Sequence, residues 1–257
     1  MNHRVGSLRS ALCVTVLTLG LLSACDSDQE EVTADGLRDA LLVSDDLSDE
    51  FKVSDDSDDG EEDETPQWGC LLDFEEDLDR AGGSDDSGDD DISVSLEADS
   101  EVGMPGVIEN IVLSDDEDEA KAAMAAIAEM MGRCHSVDSD DGDTHWQFTV
   151  DSDGVAWADG VDQQVNMVAT GTASFSSIEI PMSMSFSLMR VDNITTMVLF
   201  MDMADDIEQA RRDVIDVAMG RIHAAIEGED QPDAANSLED YPIGQEFADL
   251  LGQTSGA

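Results

Sequence analysis

Lysine is nearly missing from this chain: Lys52 and Lys121 are the only two in 257 residues, and Lys and Arg together number 11 against 62 Asp and Glu. Aromatic side chains are scarce too, at 4%, with a single tyrosine. The N-terminal apolar run is short, with 12 residues from Ala11 to Leu22, where a membrane-spanning helix needs roughly 20. Each shortage excludes something. A formal net charge of -51 repels nucleic acid and anionic lipid headgroups, so neither is a partner. The short run excludes a transmembrane anchor. A G-x-S-x-G nucleophile elbow is absent, and with it the strand-to-helix serine of the common hydrolase pattern.

What the N-terminus does contain is an address. Arg4 and Arg9 flank the start of the apolar run, and Leu22-Ser23-Ala24-Cys25 closes it with small residues before a cysteine. This is the layout of a secretory signal ending in a bacterial lipobox. It predicts cleavage after Ala24, a diacylglyceryl group on the Cys25 thiol and an acyl chain such as palmitate on the freed amine. The protein is then tethered to the outer face of a membrane by lipid alone. Plain secretion would instead leave Cys25 as an exposed thiol, which is chemically awkward outside a cell. The expected organisation is a signal peptide over residues 1–24, an acidic tether over 25–32, a single domain over 33–227 and an acidic tail over 228–257.

The signal carries two arginines and no acids, so eleven basic residues less those two leaves 9 against 62 acidic ones in the mature chain. The acids cluster, in Asp55 to Glu64, Asp85 to Asp91 and Asp115 to Glu119. Three readings compete for such runs: adaptation to a saline medium, calcium binding and disorder. Saline adaptation is favoured, and it predicts stability that rises from low to molar salt as repulsion is screened. The calcium reading fails at its most specific position. Asp55-Asp56-Ser57-Asp58-Asp59-Gly60 places glycine at loop position 6, but position 3 is Ser57 and position 12 is Pro66, where a bidentate Glu is required. No metal site or cofactor is expected. Disorder does not account for the whole chain, because 41% of it is hydrophobic and those residues recur with regular periods.

With Cys13 lost in the signal and Cys25 acylated, Cys70 and Cys134 remain as one pair in an oxidising compartment, and a disulfide is predicted. It would close a loop of 65 residues and stabilise the fold by roughly 4 kcal/mol on the chain-entropy model. Metal ligation is the weaker alternative, because neither cysteine belongs to a CxxC pair.

The periods outline an α+β domain. Thr33 caps a short helix with Leu37, Leu41 and Leu42 inward, and the chain turns at Asp45-Asp46-Leu47 and Phe51. Ile92, Val94, Leu96 and Ala98 alternate as a strand, and Val107 to Leu113 form a second. Ser114 caps a helix whose stripe runs Ala120, Met124, Ile127, Met131, Cys134. Trp146, Phe148 and Val150 alternate, a strand runs through Val165 and Met167 to Gly171, and Ile178 to Leu188 alternate with serines between. Pro181 assigns that last strand to an edge or a bulge. Asp192-Asn193 turns the chain into Thr196 to Met203, read as a central strand, and Asp205-Asp206 opens a final helix through Ile207, Ala210, Val214, Ala218, Ile222 and Ala225. The expected architecture is a curved antiparallel sheet with helices packed on one face. The tail from Gly228 is expected to be peripheral, with Ile243, Phe247, Leu250 and Leu251 able to dock.

Several of these residues together resemble a known group. The lipobox, the early helix from Leu37 to Val43 leading into Asp46-Leu47 and Phe51, Trp68 near Cys70, Cys134 ending a helix, and the hairpin Arg190-Val191-Asp192-Asn193-Ile194 are similar to actinobacterial sensor-domain lipoproteins of the type seen in the extracellular domain of the mycobacterial receptor kinase PknH. The resemblance spans about Thr33 to Ile226. It implies an α+β domain with a cleft for an unidentified extracellular ligand. This chain departs from the kinase in having one cysteine pair where that domain has two, and in lacking a kinase and a membrane span.

His135, His145 and His223 are far apart in sequence and suit surface or structural roles, so no catalytic residue is named. Asn193-Ile194-Thr195 matches a glycosylation sequon but falls in the hairpin turn. The leading expectation is a non-catalytic ligand-binding or sensory lipoprotein, with its ligand-binding residues unknown and its partner a small molecule or an envelope protein. A structural or assembly lipoprotein that binds a protein or hydrophobic molecule through methionine-rich surface is the alternative, and an envelope hydrolase ranks third.

Overall fold

The computed structural model describes residues 32–54, 92–100, 103–140, 144–175, 178–204 and 206–243. In chain order the elements are α1 (Ala34–Asp39), α2 (Ser44–Leu47), β1 (Phe51–Val53), β2 (Ile92–Ala98), β3 (Gly106–Leu113), α3 (Glu117–Met131), β4 (Ser136–Asp140), β5 (Thr144–Asp153), β6 (Gln163–Phe175), β7 (Ile178–Val191), β8 (Ile194–Asp202) and α4 (Glu208–Glu227). The strands form one 8-stranded sheet in the order β1-β2-β3-β8-β7-β6-β5-β4, every neighbouring pair antiparallel. The α+β class is as the sequence predicts.

Local chemistry explains most of the boundaries. The Thr33 hydroxyl accepts from the Gly36 N–H at 3.2 Å and starts α1. α3 begins two residues later than Ser114 would place it: Asp116 is the cap, accepting from the Glu119 N–H at 2.9 Å, while the Glu119 carboxylate accepts from the Asp115 N–H at 3.0 Å. This reciprocal pair satisfies two end donors and sets negative charge at the positive end of the helix dipole. The same helix stops at Met131 with Gly132 as its C-cap, so Cys134 lies in the turn beyond rather than on the helical stripe, although it is buried as expected. Asp206 accepts from the Glu208 N–H at 3.1 Å at the head of α4.

β8 is central, between β3 and β7. β7 is not an edge strand, contrary to what Pro181 suggested, since it lies between β6 and β8. The physical reason is that β8 ends at Asp202, opposite Ser183, so at Pro181 the strand pairs with β6 only, through Thr172. A proline that cannot donate is tolerated where a strand overhangs its neighbour. Two strands went unforeseen: β1, where a turn was expected, and β4. Both are short, and β4 carries two aspartates in the sequence SVDSD.

The helices do not share one face of the sheet. Leu37, Leu47, Val214 and Ala218 of α1, α2 and α4 pack with Ile92, Leu96, Val107, Val198 and Phe200 of the sheet. Met124, Ile127 and Met131 of α3 pack with Phe148, Met167, Met184 and Leu188. Successive strand residues point to opposite faces. On β8 the even residues Ile194, Val198 and Phe200 belong to the first group, and the odd residues Met197, Leu199 and Met201 to the second. The single-face expectation is therefore corrected: α1, α2 and α4 cover one face, and α3 covers the other, over β6, β7 and β8. A strand such as β8 that is apolar on both phases needs cover on both sides.

The stretch after α4 is not wholly peripheral. The main chain of Asn236, Ser237 and Leu238 hydrogen-bonds to the carbonyls of Asp45, Asp46 and Leu47 at 3.3, 2.8 and 2.8 Å. Leu238 is buried, and Tyr241 meets the Phe200 ring edge-on at 5.9 Å. Ile243 also packs on this core, while Phe247, Leu250 and Leu251 lie outside the described residues.

Candidate functional site

The face that carries α1, α2 and α4 is covered over β1, β2, β3 and β8. Over β4, β5 and the part of β6 beyond Asn166, no described element covers it, and there the register brings Ser136 opposite Thr149, Asp138 opposite Gln147, Thr149 opposite Thr170 and Gln147 opposite Thr172. These six polar side chains share one face and line an open groove of about 450 Å³. Of these six, Asp138 carries a carboxylate and the other five carry hydroxyl or amide groups. Hydroxyl and amide groups donate and accept without carrying charge.

Gly171 permits this shape. A Cβ on it would lie 1.9 Å from the Gln147 carbonyl oxygen and 2.7 Å from the Phe148 Cα. Both are backbone or Cα positions, so no rotamer change relieves the clash, and β5 and β6 approach this closely only with glycine there.

A wall separates the groove from the covered half. Gln164 accepts from the N–H groups of Trp157 and Ala158 at 2.9 and 3.1 Å and donates to Asn166 at 2.9 Å. Ser187 donates to the same Asn166 oxygen at 3.1 Å, and the Asn166 amide donates to the Val155 carbonyl at 3.1 Å. These bonds pin loop 154–162 onto the sheet. The guanidinium groups of Arg211 and Arg212 lie 5.8 and 4.3 Å from the centre of the Trp157 ring, a cation–π arrangement that seats the head of α4 against the same loop. Burial acts to raise the Glu208 pKa, but hydrogen bonds from Arg212 and Arg211 outweigh it and hold the carboxylate below its ordinary range. Burial raises the Asp202 pKa, opposed by hydrogen bonds from Tyr241 (2.5 Å) and from the Met203 and Ala204 backbone.

The structure does not bring the histidines together. His145 stands 3.9 Å from Asp138 at the end of the groove, His223 lies against the Asp159 carbonyl at 3.3 Å, and His135 is exposed beyond α3. Ser136 pairs with Thr149, four residues along β5 from His145, a separation of about 13 Å at the usual strand rise. That is far outside the reach of a nucleophile and its base. Among the described residues no group of three His, Cys, Asp or Glu side chains is placed to hold a metal, and no helix is long and apolar enough to cross a membrane.

Of the residues singled out from the sequence, Cys134 is buried and disulfide-bonded. Cys25 and Cys70 lie outside the described residues, as do the signal segment and the acidic runs Asp55 to Glu64 and Asp85 to Asp91. Sequence reasoning missed the groove and the wall. Both had a signal: Gln164 and Asn166 occupy the phase opposite Val165 and Met167, and the wall is built on that phase.

No protein-family model matches this chain, and no curated protein does. Among solved structures it is similar to the crystal structure of the extracellular domain of PknH from Mycobacterium tuberculosis, at a TM-score of 0.36 and 13% identity, over 53% of this chain and 61% of that one. The chain thus spans about three fifths of that structure's length. This is a distant resemblance of fold, and it assigns no family, ligand or compartment.

Proposed function

We propose that this protein is a non-catalytic ligand-binding module, held outside the membrane by lipid on Cys25, that takes a polar ligand in the groove over β4, β5 and β6. The observation that carries the reading is the groove itself: Ser136, Gln147, Thr149, Thr170 and Thr172 present hydroxyl and amide groups beside one carboxylate, Asp138. Such a surface suits a ligand bearing hydroxyl or amide groups. The address rests on the lipobox Leu22-Ser23-Ala24-Cys25. A bridge from Cys134 to Cys70 fits the same oxidising compartment. The excess of carboxylates belongs to saline adaptation of the exposed surface.

The test is intact-mass spectrometry of the protein extracted from its native envelope in detergent, alongside the Thr170→Arg variant. The expected species begins at Cys25, carries added lipid mass and brings a non-covalent small ligand that the variant loses. A chain that keeps residues 1–24 without lipid overturns the address. A bound ligand retained in Thr170→Arg overturns the groove as its site.

A further inference from the structure

On the covered half of the sheet, three ionisable groups are withdrawn from water. Glu109 on β3 and Asp46 on α2 are both 0% exposed, and Arg221 on α4 is 6% exposed. Glu109 is flanked across the sheet by Val94 and Val198, so its strand neighbours offer neither charge nor hydrogen bond. The charged groups that face it come from the helices: Asp46 from α2 and Arg221 from α4.

The charges do not balance. Arg221 Nη1 lies 3.2 Å from Asp46 Oδ2. Its Nε donates to the carbonyls of Leu41 and Ala40 at 2.9 and 3.3 Å, and its Nη2 donates to that of Asp39 at 3.1 Å. The guanidinium thus closes the C-terminal end of α1 and neutralises one carboxylate. A second buried carboxylate would stand uncompensated, which is among the costliest arrangements a protein interior can hold.

The hydrogen bonds are unbalanced in the same way. Glu109 Oε2 accepts from the Leu42 N–H at 2.8 Å, and Asp46 Oδ2 accepts from the Val43 N–H at 2.9 Å. The other oxygen of each group, Glu109 Oε1 and Asp46 Oδ1, is buried with no partner. A carboxylate only accepts, whereas a carboxylic acid also donates. A proton on Glu109 removes the surplus charge and leaves one fewer acceptor lone pair unmet.

We propose that Glu109 holds its proton in the native protein, and that the cluster Glu109–Asp46–Arg221 is a proton-operated latch on the C-terminal strap, residues 229–243. Burial pushes the Glu109 pKa up to about 7, with the Leu42 N–H and Arg221 opposing and Asp46 adding to the rise. The strap is tied to two members of the cluster. Ser237 donates to the Asp46 carbonyl through both its N–H and its hydroxyl, at 2.8 and 2.9 Å, and the Gln231 amide donates to the Arg221 carbonyl at 3.3 Å. When the proton leaves Glu109, a second negative charge faces Asp46 in a dry site, α2 loses its seat, and the strap that pairs with it loosens.

The test follows the Glu109 side-chain carboxyl carbon by NMR in the full-length protein, together with amide-exchange protection of Ser237 and Leu238 as a function of pH at constant molar salt. The carboxyl carbon titrates near pH 7, and protection at Ser237 and Leu238 falls by up to about tenfold per pH unit as the pH rises from the ordinary carboxyl value of 4.5 to about 7, then levels off, while amides of β5 and β6 keep theirs. Glu109→Gln, which keeps a donor without a charge, gives protection that does not change with pH. Infrared spectra of the unaltered protein supply a readout that needs no variant: a protonated-carboxyl C=O band that disappears as the pH rises through about 7. A Glu109 carbon that is fully ionised at mildly acid pH, an absent band, or strap protection independent of pH each overturns the latch.

Discussion

On one side of the sheet, α1, α2 and α4 cover a core of branched aliphatics, Leu37, Leu42, Leu47, Ile92, Leu96, Ile111 and Val214 among them, into which the protein sinks Asp46, Glu109 and Arg221. On the other, α3 covers a core in which Met124, Met130, Met131, Met167 and Met184 are buried, with Met182, Met197 and Met201 around them. The methionine side also has a buried cation, Arg190, but it sits at the rim beside Asp162 and Glu117, whose side chains are 46% and 51% exposed. The difference teaches how one sheet divides its labour. Stiff branched side chains pack in few ways and can hold polar groups at fixed distances. Unbranched thioethers fill irregular space and tolerate exchange. The side that positions charges is the stiff one.

The sharpest way to break this contrast is Arg221→Met, which leaves Asp46 and three helix-end carbonyls without their donor. We expect a loss of about 3–5 kcal/mol in urea denaturation; a loss under about 1 kcal/mol would mean that the cluster does not organise its side of the core. The proton on Glu109 adds a pH dependence to that side. A carboxyl whose folded pKa, about 7, exceeds its ordinary 4.5 contributes its full stability below the unfolded value and loses it as pH rises through the folded one. The associated range is at most about 3 kcal/mol, and Glu109→Gln removes it.

Gly171→Ala comes next. Its Cβ meets backbone at 1.9 Å, and we expect a cost of about 1–3 kcal/mol by thermal melting, together with a deformed groove. The forgiving character of the methionine side ends where the backbone itself must move. Smallest is Met184→Leu, a volume-conserving exchange expected to cost less than about 1.5 kcal/mol in the same melt. A loss as large as that of Arg221→Met would erase the distinction between the two cores.

Much of the fold was legible in the chain. The alternation of Ile92 to Ala98 and Ile178 to Leu188, the unbroken apolar run of β8 and the helical stripe of α3 each mark an element, because strand and helix periods are set by neighbouring residues. β1 and β4 were not legible: Phe51–Val53 is too short for a period to emerge, and Ser136–Asp140 reads as a polar loop. Glu109 carried a signal that was available and easily passed over. It stands on the phase of Val107 and Ile111, between two core residues, and a carboxyl on a buried phase marks either a partner or a proton.

By itself, then, the sequence determined most element types, the antiparallel class and the acidic composition, all of which are written in residue identities and spacings of a few residues. Only the tertiary structure decided which face of the sheet each helix covers, that strands β4, β5 and β6 bring Ser136, Gln147, Thr149, Thr170 and Thr172 into one groove, and that Arg221 closes a helix 181 positions earlier in the chain at Ala40. The reason is that amphipathic periodicity says a residue must be covered but not by what. The covering element is chosen by long-range packing, where burial, charge balance and hydrogen-bond satisfaction must be met by residues that no local spacing links.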